Sequence, residues 1–173
     1  MLSISAVTTQ KKPNAFKKLL DTVNGMVEKG VVAGFPRGRL NTPHYESEEK
    51  GKPGPSIIDV AIWNNYGMGV PRRDFMTPSS KKWKKFFSES LAQVQREMLE
   101  DKIDPDKFLG AMGQKGADII SQEIIALDTP PNSPATIAKK KSSNPLVDTG
   151  DMSRSTTWQI RGRKSEGKTS LDS

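Results

Sequence analysis

The chain has no cysteine among its 173 residues. Disulfides and thiolate metal sites are therefore excluded, and folding in a reducing cytoplasm is the simplest expectation. Histidine occurs once, as His44 in a stretch rich in glycine and proline, where it reads as a loop residue rather than a ligand or base. Long apolar runs are missing too. None approaches the roughly 20 residues that a membrane-spanning helix needs, and the start Met1-Leu2-Ser3-Ile4 lacks the basic and apolar regions of a secretory signal. A soluble chain with no membrane partner is expected. The metal-binding HExxH, the phosphate loop and Gly-x-Ser-x-Gly are all absent, and Gly34-Phe35-Pro36-Arg37-Gly38 lacks the Lys-Ser/Thr of a phosphate loop. With no set of acid, base and nucleophile to assemble, the chain does not read as an enzyme, and no cofactor or metal is expected. Apolar residues are also few, at 34% against 27% charged, which is lean for a monomer and favours a subunit stabilised by its neighbours.

Positive charge is plentiful. The formal net charge is +7, a balance that suits nucleic acid, anionic lipid or an acidic protein surface. The length fits one domain over residues 1–163, with a polar tail at 164–173 expected to be disordered.

Ser3 to Thr9 alternates weakly, like an edge strand. From Asn14 to Lys29 the apolar Phe16, Leu19, Leu20, Val23, Met26 and Val27 recur at helical spacing, with Lys17, Lys18 and Lys29 between them on the face that should meet water. Gly30 reads as the cap that ends this helix, and Val31 to Phe35 as a strand. Arg37 to Pro55 holds Gly38, Pro43, Gly51, Pro53, Gly54 and Pro55 without periodicity, so residues 36–56 are expected to form a long mobile loop. Ser56 and Gly67 bracket a short helix as N-cap and C-cap. That helix is apolar over most of its surface, which predicts burial on more than one side. Pro71 biases Val70 toward an extended course to Phe75.

The clearest helical pattern spans Ser79 to Asp101. Trp83, Phe86, Phe87, Leu91, Val94 and Met98 form its stripe, while Lys81, Lys82, Lys84 and Lys85 load its first turns against the helix dipole. A second long helix is predicted from Pro105 to Leu127, with Gly110, Gly113 and Gly116 at three-residue spacing letting another backbone approach one face closely. Pro134 opens a short helix through Lys141. Thr156, Trp158 and Ile160 alternate with Ser155, Thr157 and Gln159 in a half-buried strand between Ser153 and Arg163. The fold class predicted is α+β, a small, mostly antiparallel sheet packed against two longer helices.

Two motifs invite chemistry. Asp148-Thr149-Gly150 is the tripeptide of aspartic proteases, whose mechanism needs two carboxylates sharing a proton; the polar surroundings favour a capped turn with Gly150 at positive φ. Lys81-Lys82-Trp83-Lys84-Lys85 could place lysines on phosphates and Trp83 on a base, which makes a nucleic-acid-binding module the alternative function. The helical spacing of Trp83 with Phe86, Phe87 and Leu91 instead assigns the indole to the core.

Taken in order, several segments resemble a family of tailed-phage proteins. Gly34, Phe35 and Pro36, then Trp63, Tyr66 and Gly67, then Arg72, Arg73 and Phe75 follow at the family's spacing, with a Trp-bearing helix behind them. Pro145, Leu146, Asp148, Thr149 and Gly150, with Met152, Ser155 and Trp158, match its closing motif. The pattern is that of phage neck and tail-completion proteins, and it extends from about Gly30 to Ile160. Two positions depart from it: Asn65 stands where the family commonly has an acidic residue, and Asp74 where it has proline. The resemblance implies an α+β structural virion protein, a ring-forming, sixfold subunit at the head–tail junction (neck, tail completion or tail terminator) that is needed for head–tail joining. Its implied partners are copies of itself, the head connector and the tail tube, with possible non-specific contact with packaged DNA. Assembly would take place in the host bacterial cytoplasm.

Overall fold

A computed structural model describes residues 15–35, 43, 50–100, 103–140 and 142–162. Its elements are α1 (Ala15–Val27), β1 (Lys29–Gly34), α2 (Ile57–Tyr66), α3 (Met76–Leu99), α4 (Pro105–Ala126), α5 (Pro134–Lys140), α6 (Asp151–Arg154) and β2 (Thr157–Gly162). The α+β class is as the sequence predicts. Ser3–Thr9, Pro36, His44, most of the 36–56 loop and the 164–173 tail lie outside the described residues.

Helix α4 organises the rest. Asp104 caps it by accepting from the amides of Asp106 and Lys107, and Pro105 occupies the first turn, where a missing N–H costs nothing. Its buried positions, among them Leu109, Met112, Gly116, Ile120 and Ile124, recur every three or four residues. The strands pair antiparallel from Lys29↔Gly162 to Gly34↔Thr157 and pack on α4. Partners Val31↔Ile160 and Ala33↔Trp158 share one face of the sheet.

The three glycines of α4 are notches. A Cβ on Gly113 would stand 2.7 Å from a Val31 methyl and 2.8 Å from the Trp158 ring; one on Gly116 would stand 2.7 Å from Trp83 and 2.8 Å from the Ala33 Cβ. The expected close approach is real, but the visitors are two indoles and strand side chains. Each indole N–H is satisfied on α4, Trp83 by the Met112 carbonyl at 2.9 Å and Trp158 by Gln114 Oε1 at 3.0 Å. A second cluster lies at the other end, where Phe75, Ile57, Ala61, Ile120, Ile124, Leu146 and Met152 meet, with Phe35 set edge-on to Phe75 at 6.3 Å.

Several expectations need correction. Gly30 does not cap α1; it lies in β1 opposite Arg161, and the helix has already ended at Val27. Part of the α1 stripe is turned outward: Leu20, Val23 and Val27 are exposed, while Thr22 and Gly25 are half-buried and Gly25 faces Pro105. Helix α2 is buried on one side only, with Ile62, Trp63 and Tyr66 outward. Helix α3 starts at Met76, because Asn65 Oδ1 and Asp74 Oδ1 take the amides of Met76 and Thr77 and Pro78 fits a first turn. Lys81 and its neighbours thus begin beyond the first turn, where the dipole penalty fades. Phe87 and Leu91 are 38% and 39% exposed, so the deep part of the α3 stripe is Val94 rather than Phe87. The last strand starts at Thr157 because residues 151–154 form a helical turn first.

Candidate assembly site

The short helix α2 is held rigidly at both ends. Ser56 Oγ accepts from the Asp59 amide at 3.2 Å, while Asp59 Oδ2 accepts from the Ser56 amide at 2.9 Å and from its hydroxyl at 2.7 Å, a complete capping box. Those bonds, first the hydroxyl and then the amide, hold the Asp59 carboxyl below its ordinary pKa. At the far end Gly67 takes φ 75° and its amide donates to the Trp63 carbonyl at 2.8 Å. A Cβ at Gly67 would lie 3.0 Å from that of Arg72, so glycine is required by conformation and by space.

Past this turn the chain doubles back. The Arg73 amide donates to the Asn64 carbonyl at 2.7 Å, which brings the guanidinium into the protein, where the residue is 6% exposed. Its Nε donates to the Pro130 carbonyl at 3.1 Å and its two terminal nitrogens to Asn64 Oδ1 at 2.9 Å and Asn132 Oδ1 at 3.1 Å. All three partners are neutral oxygens, and among the described residues no carboxylate forms an ion pair with it. Burial pushes the pKa of this group down from its ordinary value, though a guanidinium keeps its proton at any physiological pH.

The polar chain continues into the closing motif. Asn132 Nδ2 donates to the Asn144 carbonyl, Asn144 Nδ2 donates to the Ile125 carbonyl at 2.8 Å, and Asn144 Oδ1 accepts from the amides of Leu146 and Val147 at 2.9 Å each. Arg73 therefore ties together the end of α2, the 130–132 turn and the Pro145–Gly150 segment. Asn64, Asn132 and Asn144 were not singled out from the sequence. The only signal available was the cluster of asparagines beside proline at Asn132 and Asn144, which reads locally as turn chemistry.

The residues of the resembled motifs divide between anchors and surface. Gly34, Phe35, Gly67, Arg73, Phe75, Pro145 and Leu146 are buried or half-buried, and Phe75 is among the most deeply buried side chains at 1% exposure. Arg72 is exposed and pairs with Asp74 at 2.8 Å. Gly150 takes φ 82° and leads into α6; Thr149 bonds Asp151, and Arg154 reaches the Thr149 carbonyl and Asp151 Oδ1, both at 2.7 Å. The Asp-Thr-Gly triplet thus forms a turn into α6 with Gly150 at positive φ as expected, but Gly150 is itself the N-cap and no side chain caps the helix there, and Asp148 is exposed at the edge.

Between α2 and this closing loop runs a groove of about 430 Å³ whose lining includes Val60, Asn64, Val70, Leu146, Asp148 and Met152. Beside it the outer face of α2 and the following turn present Ile62, Trp63, Tyr66, Met68 and Val70, all exposed, with Tyr66 at 66%. The indole N–H of Trp63 has no partner among the described residues.

The lysine cluster does not converge with this site. Lys81, Lys84 and Lys85 line an open surface groove on α3, Lys82 pairs with Glu123, and Lys85 lies 3.8 Å from Glu89. Trp83, the ring that would stack on a base, is held against Gly116. No group of three or more His, Cys, Asp or Glu capable of holding a metal occurs among the described residues, and no described helix is long and apolar enough to cross a membrane. Compared with family models, curated proteins and solved structures, the chain matches none.

Proposed function

We propose that this chain is a structural subunit of a tailed-phage virion, forming a ring, sixfold by the resemblance, at the junction of head and tail. One observation carries the reading. The segments that resemble neck and tail-completion proteins come together around Phe75 and Arg73, and the two exposed aromatic residues of those segments, Trp63 and Tyr66, stand on the outer face of a helix capped at both ends. Contiguous apolar side chains on an outer face suit a surface that neighbours cover, and a rigid support lowers the entropy lost when they do.

The test is electron microscopy of phage in which the gene is replaced by a Trp63→Ser, Tyr66→Ser variant. Separate filled heads and tails, with the variant protein folded but outside the particle, are the expected result. Normal particles lacking the protein altogether would overturn the reading. The alternative, a basic nucleic-acid-binding module, has the exposed Lys81 and Lys84 in its favour. It requires a DNA affinity whose salt dependence flattens when the four lysines of the cluster become glutamine.

A further inference from the structure

Two of the apolar faces left open among the described residues, one on α1 and one on α2, differ in shape and in charge. On α1 the exposed Leu20, Val23 and Val27 follow one another at i, i+3 and i+7, with exposed Lys17 one turn earlier. The opposite side of the helix is the one held, through Gly25 against Pro105. This is the form of a helix that seats in a groove, three apolar anchors over about 10 Å of axis and a cation at one end. On α2 the exposed Trp63 and Tyr66, continued by Met68 and Val70, give a broad aromatic surface, and Val70 shares its groove with the exposed carboxylate of Asp148. Asp148 and Lys17 each lack a salt-bridge partner among the described residues.

Resting on the ring reading above, we propose that the α1 stripe of one subunit seats on the α2 face of the next copy, with Lys17 directed to Asp148. The charges are complementary, the apolar surfaces are of matching character, and neither helix covers the other's face within one chain. Because the two surfaces are different, the contact is heterologous, the kind that closes rings; a self-complementary patch would stop at a dimer.

The absence of native cysteine makes the geometry directly testable. Full-length Leu20→Cys and Tyr66→Cys chains are purified, mixed and mildly oxidised, in solution and again in assembled particles. A disulfide between the two variants in the mixture is expected, together with a ladder of covalent multimers from the chain that carries both substitutions. Lys17→Asp alone and Asp148→Lys alone should each weaken association about tenfold, and the two combined in one chain should restore it. Bonding of Leu20→Cys chains to one another as readily as to Tyr66→Cys chains overturns the proposal. So does capture of Leu20→Cys by a different virion protein, or the lack of any 20–66 bond at every concentration and in particles. Rings seen by microscopy without that bond leave the functional reading standing and sink this contact alone. A chain found neither in rings nor in particles sinks both.

Discussion

The three tryptophans of this chain have two kinds of surroundings. Trp83 and Trp158 are pressed onto glycine notches of α4, and each donates its indole N–H to that helix. Trp63 stands on the outer face of α2 with its N–H unclaimed among the described residues. The contrast separates a part of the molecule completed within the chain from a part that is capped at both ends yet uncovered. Apolar residues are scarce here, and a lean chain that leaves Trp63, Tyr66 and Met68 outside gains stability from that surface only when something else covers it.

The largest expected effect lies beneath the uncovered face. Arg73→Met removes the side-chain donors to the Pro130 carbonyl, Asn64 Oδ1 and Asn132 Oδ1 while keeping much of the side-chain volume, leaving three inward acceptors unpaired. A loss of roughly 2–4 kcal/mol in chemical denaturation is expected. An unchanged midpoint would mean that the face needs no such anchor. On the completed side, Gly116→Ala sets a methyl against Trp83 and Ala33. Overpacking of about 1–3 kcal/mol outweighs the better helix propensity of alanine, and the Trp83 fluorescence should shift with it. Stabilisation by this substitution would show that the α3–α4 contact is looser than its distances imply.

The pH dependence gives a smaller effect. The Asp59 carboxyl is lowered in the folded state by its bonds to Ser56, and the Asp74 carboxyl chiefly by the amide of Thr77. A depressed folded pKa contributes stability above the ordinary value of 3.8, and that contribution is lost as pH falls through the folded value. The Asp59→Asn, Asp74→Asn variant should therefore be less stable at neutral pH and show a flatter loss of stability below about pH 4. Equal acid slopes in variant and parent would remove both caps from the account. Smallest of all is the expected effect of Tyr66→Ser on the isolated chain, within about 0.5 kcal/mol, since the residue is 66% exposed already. A loss comparable to that of Arg73→Met would place Tyr66 on the completed side of the comparison.

Elements whose signals are local were legible in the residues. Ser56 and Gly67 mark the ends of α2, Pro105 the start of α4 and Pro134 the start of α5, because caps and prolines act within one turn. The alternation at Thr157 to Ile160 likewise marked β2. The fold class followed from these elements. Periodicity also marked the apolar stripes of α1 and α3, yet it assigned Leu20, Val23, Val27 and Phe87 to an interior they do not occupy.

A helical period shows that a stripe exists and leaves open whether this chain or another covers it. Local chemistry along the backbone decided where helices and strands begin and end, since a cap needs only its own turn. Tertiary structure alone decided that Arg73 would reach Pro130 and Asn132, 57 and 59 residues away, and that two indoles would fill the notches of α4. It also decided which apolar side chains would lie inward: Ile57 and Ala61 of α2 enter the core, while Ile62, Trp63 and Tyr66 of α2 and Leu20, Val23 and Val27 of α1 stay outside, because a helix buries only the side that meets a neighbour.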